Sequence, residues 1–102
     1  MSKHPIISED HLEILHNIQN ESALSQRQMS QKTGFSVGKV NYILKSLLDI
    51  GFIKIENFNK SSKKINYLYV LTPQGIKEKT NITKQFIIKK KLEYDKITSY
   101  LN

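Results

Sequence analysis

The sequence predicts a mainly α-helical domain with a small β-hairpin, of the α+β class, followed by a long C-terminal helix. Apolar residues recur at intervals of three and four as far as Ile50, which is typical of helices. The interval then changes to two over 52–58, and 65–71 is rich in β-branched and aromatic residues. A chain of 102 residues with 38% apolar content is long enough for one compact domain and one extension.

The first helix is predicted to begin after Ser8, which is a favourable N-cap residue. Glu9 and Asp10 follow it, where the helix dipole favours negative charge. The helix extends to about Asn20. Its apolar face consists of Leu12, Ile14, Leu15 and Ile18.

Two further helices are predicted to be joined by a tight turn. Ser25 and Gln28 fit a capping box at the start of a short second helix, because each side chain can satisfy a backbone donor near the other. Gly34 is expected to end that helix in the left-handed conformation. Phe35 then becomes the apolar residue of the turn, and Ser36 the N-cap of the third helix.

The third helix is predicted from Val37 to Ile50 and is ended by Gly51. Its buried stripe is expected to be Val40, Leu44, Leu47 and Leu48, with Ile43 at the margin. The opposite face is centred on Tyr42 and is polar and mainly basic. A polar face is often merely solvated, so the elements around it must decide whether it binds anything.

A β-hairpin is predicted to follow, with a tip at 59–64 that contains no apolar residue and should project into solvent. The predicted elements follow the order of a winged helix-turn-helix, namely helix, helix, turn, helix, strand, charged loop and strand, with 57–66 as a basic wing. Lys60, Lys63 and Lys64 would give this wing three charges for the minor groove or for flanking phosphates. The alternative is a hairpin tip that only improves solubility.

The charge of the chain favours a polyanionic partner. Sixteen Lys and Arg against nine Asp and Glu give a net charge of +7 and a pI near 9.6. The major groove is ~12 Å wide and admits one α-helix, so the third helix is the candidate reading element of double-stranded DNA. The predicted DNA-binding residues are Gln26, Arg27, Gln28, Ser36, Gly38, Lys39, Asn41, Tyr42, Lys45, Lys60, Lys63 and Lys64.

These residues are assigned different tasks. The polar residues at the start of the second helix are placed to hold phosphate. Gly38 would allow close approach, Lys39 could bind a phosphate or guanine, and Tyr42 could contact a phosphate or a thymine methyl. Asn41 could read adenine, but it lies near the edge of the core and could cap or pack instead. The run 89–91 of three lysines is more typical of solvated surface.

The last helix is predicted to begin at Thr72-Pro73 and to extend toward the C-terminus, with a break or bend at Asn81 left open. About 29 helical residues would span ~44 Å, more than the ~26 Å diameter of a compact 100-residue body. We therefore predict a DNA-binding domain over 8–72 and a dimerising extension over 73–102. The predicted dimerisation residues are Phe86, Ile87, Tyr94, Ile97 and Leu101. The alternative is that this stripe packs on the first helix of its own chain.

Other classes of protein fit the sequence less well. It has no cysteine, no apolar run of ~18 residues and no secretion signal, so a cytoplasmic protein without a membrane span is expected. His4, His11 and His16 lack a matching carboxylate or nucleophile and are expected at the surface, so no enzyme, metal or cofactor is predicted. A winged-helix module that binds protein or RNA is the remaining alternative.

Three segments resemble a known family. They are 25–28, 34–42 with the run Gly38-Lys39-Val40-Asn41-Tyr42, and 71–76 with Leu71-Thr72-Pro73-Gln74-Gly75-Ile76. The chain resembles, from about 8 to about 100, the small MarR-type winged-helix regulators associated with exopolysaccharide gene clusters. The resemblance implies a bacterial transcription regulator that forms a homodimer. Larger MarR proteins have more helix before the first element, where they build part of their effector pocket, so no small-molecule effector is predicted here.

Overall fold

The computed structural model describes residues 7–21, 24–57 and 67–102. In that part of the chain three helices come first, namely α1 (Glu9–Asn20), α2 (Gln26–Thr33) and α3 (Val37–Ile50). Two strands, β1 (Ile53–Asn57) and β2 (Tyr67–Leu71), precede helix α4 (Pro73–Thr98), which ends in a short 3-10 turn, Ser99–Leu101. The predicted α+β fold with a two-stranded hairpin and a long C-terminal helix is confirmed.

The helices begin and end where the sequence predicts. Each N-cap side chain accepts a hydrogen bond from a backbone N–H of the first turn, which satisfies a donor that the helix itself leaves unpaired. These N-caps are Ser8, Ser25, Ser36 and Thr72. Gly34 and Gly51 end α2 and α3 with φ values of 80° and 88°, a conformation that costs glycine little.

The core is formed by the inner faces of α1, α2 and α3 with the start of β1. Its fully buried members include Ile14, Leu15, Met29, Leu47 and Phe52. One detail of the predicted α3 stripe is wrong, because Ile43 is fully buried whereas Leu48 is only partly buried. α1, α2 and β1 all contact α3, so the buried sector of this helix is wider than one stripe.

The two strands form an antiparallel hairpin. Ile53 lies opposite Leu71 at the end next to the helices, and Asn57 lies opposite Tyr67 at the far end. The predicted wing lysines, Lys60, Lys63 and Lys64, belong to 58–66 and lie outside the described residues.

The first turn of α4 is fixed to the end of α3 and the start of the hairpin. Thr72 Oγ1 donates to the carbonyl of Gly51 at 2.6 Å and accepts from the N–H of Gly75 at 3.0 Å. The N–H of Thr72 donates to the carbonyl of Phe52 at 3.0 Å. A Cβ on Gly75 would lie 1.9 Å from that same carbonyl oxygen. The helix and the hairpin are therefore in direct backbone contact at this point.

α4 is one continuous helix, with no break at Asn81. Its first half lies along α1, where Ile82 packs against the core and Lys79 Nζ donates to His16 Nδ1 at 3.0 Å. From Ile87 onward every residue is exposed. A helix of this length spans ~39 Å, and the molecule measures 64 Å along its longest axis. The second half of α4 therefore projects beyond the body.

Candidate nucleic-acid interface

The turn between α2 and α3 is held by local hydrogen bonds. Ser25 and Gln28 form the complete capping box at the start of α2. Ser30 Oγ donates to the carbonyl of Phe35 at 2.5 Å, and the N–H of Phe35 donates to Thr33 Oγ1 at 3.1 Å. The direction in which α3 leaves the turn is thus fixed by residues close together in sequence.

The outer face of α3 is open to solvent. Tyr42 is 68% exposed and lies between Lys39 and Lys45, which are also exposed. Beside them, the nearest described atom to a Cβ added at Gly38 would be Ser36 Oγ at 4.0 Å, so no described residue covers this glycine. The predicted DNA-binding residues that are exposed are Arg27, Gln28, Ser36, Gly38, Lys39, Tyr42 and Lys45. A helix face of this kind can enter a groove without rearrangement of the core.

Gln26 and Asn41 are half-buried and contact each other. Gln26 Nε2 donates to Asn41 Oδ1 at 3.3 Å and to the hydroxyl of Tyr69 at 3.4 Å. Tyr69 packs against the core. The three side chains join the start of α2, the start of α3 and strand β2. Asn41 therefore takes up the packing arrangement that its place near the edge of the core suggested, and a role for it in base reading stays a prediction.

Lys39 has two partners that the sequence did not indicate. Its Nζ lies 2.5 Å from Asp10 Oδ2 at the start of α1 and 4.4 Å from the centre of the Phe35 ring. The Phe35 contact has the geometry of a cation–π interaction. Lys39 is thus exposed but already paired with a carboxylate.

His11 is buried, which corrects the expectation of a surface histidine. It is 8% exposed, its Nδ1 lies 2.7 Å from Ser8 Oγ, and its ring meets that of Tyr42 edge to face at 6.5 Å between centres. The spacing of His11 to Leu15 and Ile18, four and then three residues, could have revealed this, because it places all three on one helix face. Burial lowers the pKa of His11; Asp10 acts to raise it and Lys39 to lower it further.

This pKa shift predicts an acid-sensitive fold. A histidine whose pKa is lower in the folded than in the unfolded chain binds its proton preferentially when unfolded. We expect the free energy of unfolding to fall as the pH decreases through about 6.5, the ordinary pKa of histidine, and onward to the lowered pKa of the folded state. Urea unfolding at pH 7.5 and 5.5 measures it. His11→Gln should reduce the pH dependence of the free energy of unfolding, whereas the exposed control His16→Gln should retain it. An equal pH dependence in both variants would contradict the prediction.

A groove of about 430 Å³ lies between α1 and α4, with Leu12 and Phe86 as apolar lining and Glu13, His16 and Lys79 among its polar residues. Over 7–21, 24–57 and 67–102, no group of three or more metal-ligating side chains is found. Within the same ranges, no helix has both the length and the apolar character that crossing a membrane requires.

Comparison with known families agrees with this geometry. A family model described as "Winged helix-turn-helix DNA-binding" matches residues 11–54, from the first turn of α1 to the start of β1. The fold is that of a winged helix-turn-helix domain, and the similarity supports DNA binding by this domain. No curated protein matches the chain.

Proposed function

We propose that the protein is a sequence-specific regulator of transcription that binds double-stranded DNA as a homodimer. α3 is the reading helix, with Lys39, Tyr42 and Lys45 as its contacts and Gly38 as the point of closest approach. The exposed residues at the start of α2, Arg27 and Gln28, hold the adjacent phosphates. Lys60, Lys63 and Lys64 contact flanking phosphates from the wing.

One observation carries the proposal: the start of α3 is exposed and is joined to its neighbours by hydrogen bonds. Tyr42 and Lys39 project from the side of the helix that does not pack on the core. Hydrogen bonds of the turn, and the contacts of Gln26 with Asn41 and Tyr69, restrain the backbone beneath them. Preorganised side chains lose less conformational entropy on binding, and a base contact discriminates only if its geometry is fixed.

The proposal of a homodimer rests on exposed apolar residues in the projecting half of α4. Ile87, Tyr94, Ile97 and Leu101 are all more than 60% exposed, and such a row of large apolar groups is unfavourable in water. Phe86 differs from them, because it is half-buried and borders the groove with Leu12. A two-fold dimer would place two reading helices about one DNA turn, ~34 Å, apart on a pseudo-palindromic site. In this proposal 8–72 binds DNA and 73–102 dimerises.

The genes under control are proposed from the resemblance to exopolysaccharide-associated MarR-type regulators. They are genes for surface polysaccharide or exopolysaccharide synthesis in a bacterium, and the protein acts in the cytoplasm. No small-molecule effector, metal or enzymatic activity is part of the proposal.

The proposal is tested by measuring binding to DNA against salt. A preferred site is first selected from a pool of random duplexes, and its affinity is then compared with that of random-sequence duplex. With about three to six phosphates neutralised per subunit, log affinity should fall by ~0.9 per phosphate for each unit of log salt. A flat dependence on both duplexes would reject DNA binding and favour the protein-binding module.

Variants distinguish base contacts from phosphate contacts. Lys39→Ala and Tyr42→Ala should each weaken the selected site by about 5- to 150-fold, corresponding to ~1–3 kcal/mol, and random duplex less. Lys63→Ala should weaken both duplexes alike. Lys84→Ala removes an exposed lysine of α4 and is the matched control. If Lys84→Ala weakened binding to the selected site as much as Lys39→Ala, the loss would reflect overall charge and not a contact made by Lys39.

A further inference from the structure

The start of α1 carries two adjacent carboxylates that pair with lysines of two different helices. Glu9 Oε1 lies 2.9 Å from Lys90 Nζ on α4, and Asp10 Oδ2 lies 2.5 Å from Lys39 Nζ on α3. The four side chains are between 41 and 57% exposed. Ion pairs at this exposure add little to stability, because water and salt screen them. A contribution to folding stability therefore does little to explain why Lys39 is paired with Asp10.

The Asp10–Lys39 pair lies at the proposed reading surface. Lys39 belongs to the first turn of α3, and the neighbour of Asp10, His11, touches the ring of Tyr42. The start of α1 thus packs beside both side chains that are proposed to contact DNA. A phosphate that approaches Lys39 must meet the Asp10 carboxylate at the same place.

We propose that Asp10 is a specificity-determining residue, which masks the charge of Lys39 until the correct DNA sequence displaces it. The inference rests on the proposed function. Affinity for arbitrary DNA comes almost wholly from the neutralisation of phosphates by free cations. A lysine held by a carboxylate contributes less to this term, and the carboxylate itself repels phosphate. Asp10 therefore lowers the affinity for random duplex more than the affinity for the preferred site.

At the preferred site Lys39 can exchange Asp10 for a DNA group because the Asp10–Lys39 ion pair is weak. Because both groups are exposed, Lys39 can leave Asp10 at small cost when a DNA group replaces the carboxylate. At a preferred site the contacts of Tyr42 hold the helix in place while this happens. At a random site these contacts are poor, and Lys39 stays paired. Discrimination is a difference between two affinities, so weakening the wrong complex raises it.

Asp10→Asn tests the inference, with Glu9→Gln as the matched control. Both substitutions remove one negative charge from the first turn of α1 and break one ion pair. Asp10→Asn should raise affinity for random duplex about eightfold per subunit at 0.1 M salt and steepen the salt slope by ~0.9 per subunit, the effect of one added phosphate contact. Affinity for the selected site should change by less than about twofold. Glu9→Gln should leave the slope unchanged.

A double-mutant cycle distinguishes masking of the Lys39 charge by Asp10 from an effect of Asp10 on the fold. If Asp10 acts through Lys39, Asp10→Asn should have no effect on the slope in a Lys39→Gln background. Equal effects of Asp10→Asn and Glu9→Gln, or weaker binding of both duplexes by Asp10→Asn, would overturn the inference. Asp10→Ala provides a second variant, and unfolding curves verify that each protein is folded. Wild-type protein that binds no DNA would instead reject the proposed function, so the two failures are distinguishable.

Discussion

Gly75→Ala is expected to destabilise the fold by about 3 kcal/mol or more, although it adds a single methyl group. The added carbon would lie 1.9 Å from the carbonyl oxygen of Phe52 and 2.8 Å from its carbonyl carbon. Both are backbone atoms, so no side chain can rotate away and α4 must shift. Such a shift would also strain the bonds from Thr72 to Gly51 and Phe52. Thermal unfolding should show a loss of about 15 °C in Tm for a domain of this size.

Gly38→Ala is the matched control for this prediction. Gly38 also lies in the first turn of a helix, but the nearest atom of the described residues to an added Cβ would be 4.0 Å away. Alanine is favoured over glycine in helices by about 1 kcal/mol, so this variant should be as stable as wild type or more so. Under the proposed function it should still weaken DNA binding, because the methyl group would face the groove. Equal stability of the two variants would contradict the close contact at Gly75.

Ile87→Glu is expected to convert the proposed dimer into a monomer and to lower affinity for a two-half-site duplex about 100-fold. The effect is large because a linked second half-site multiplies affinity by ~10²–10⁴ without any new type of contact. A charged carboxylate within an apolar helix interface would be left without water. Tyr94→Glu, about two helical turns further along the same side of α4, should have the same effects on mass and affinity. Sedimentation equilibrium gives the mass, and duplexes with one or two half-sites give the affinities.

Gln85→Glu is the control for charge, because it places a carboxylate two residues away on the same exposed helix. It should leave the mass and the affinity for the two-half-site duplex near those of wild type. Affinity for a single half-site should be similar in all three variants, because α3 is untouched. A wild-type protein that sediments as a monomer with DNA present would refute the dimer and leave the proposed reading helix unaffected.

Much of the fold could be predicted because its signals are local. Capping residues act on backbone donors two or three positions away, so Ser25 and Thr72 mark helix starts without knowledge of the rest of the chain. Gly34 and Gly51 mark helix ends for the same reason. The change of apolar period after Ile50 separates helix from strand.

The candidate site was only partly predictable. Tyr42 and Lys45 are exposed where the helical period placed them. The ion pair of Lys39 joins residues 29 positions apart along the chain, and no spacing rule connects them. In the sequence, Asp10 indicates only a favourable charge for the helix dipole, a role that Glu9 shares. The residue type of His11 favours the surface, whereas the face of α1 on which it lies determines its burial.

The sequence by itself determined the elements, their order and the exposed face of α3, because caps, turns and periodicity act over a few residues. The tertiary structure alone decided that Asp10 reaches Lys39, that Gly75 touches the backbone of Phe52, and that the side chains of α4 are partly buried only as far as Phe86. These contacts depend on how whole helices lie against one another. That arrangement results from the packing of many apolar side chains at once, which no short segment encodes.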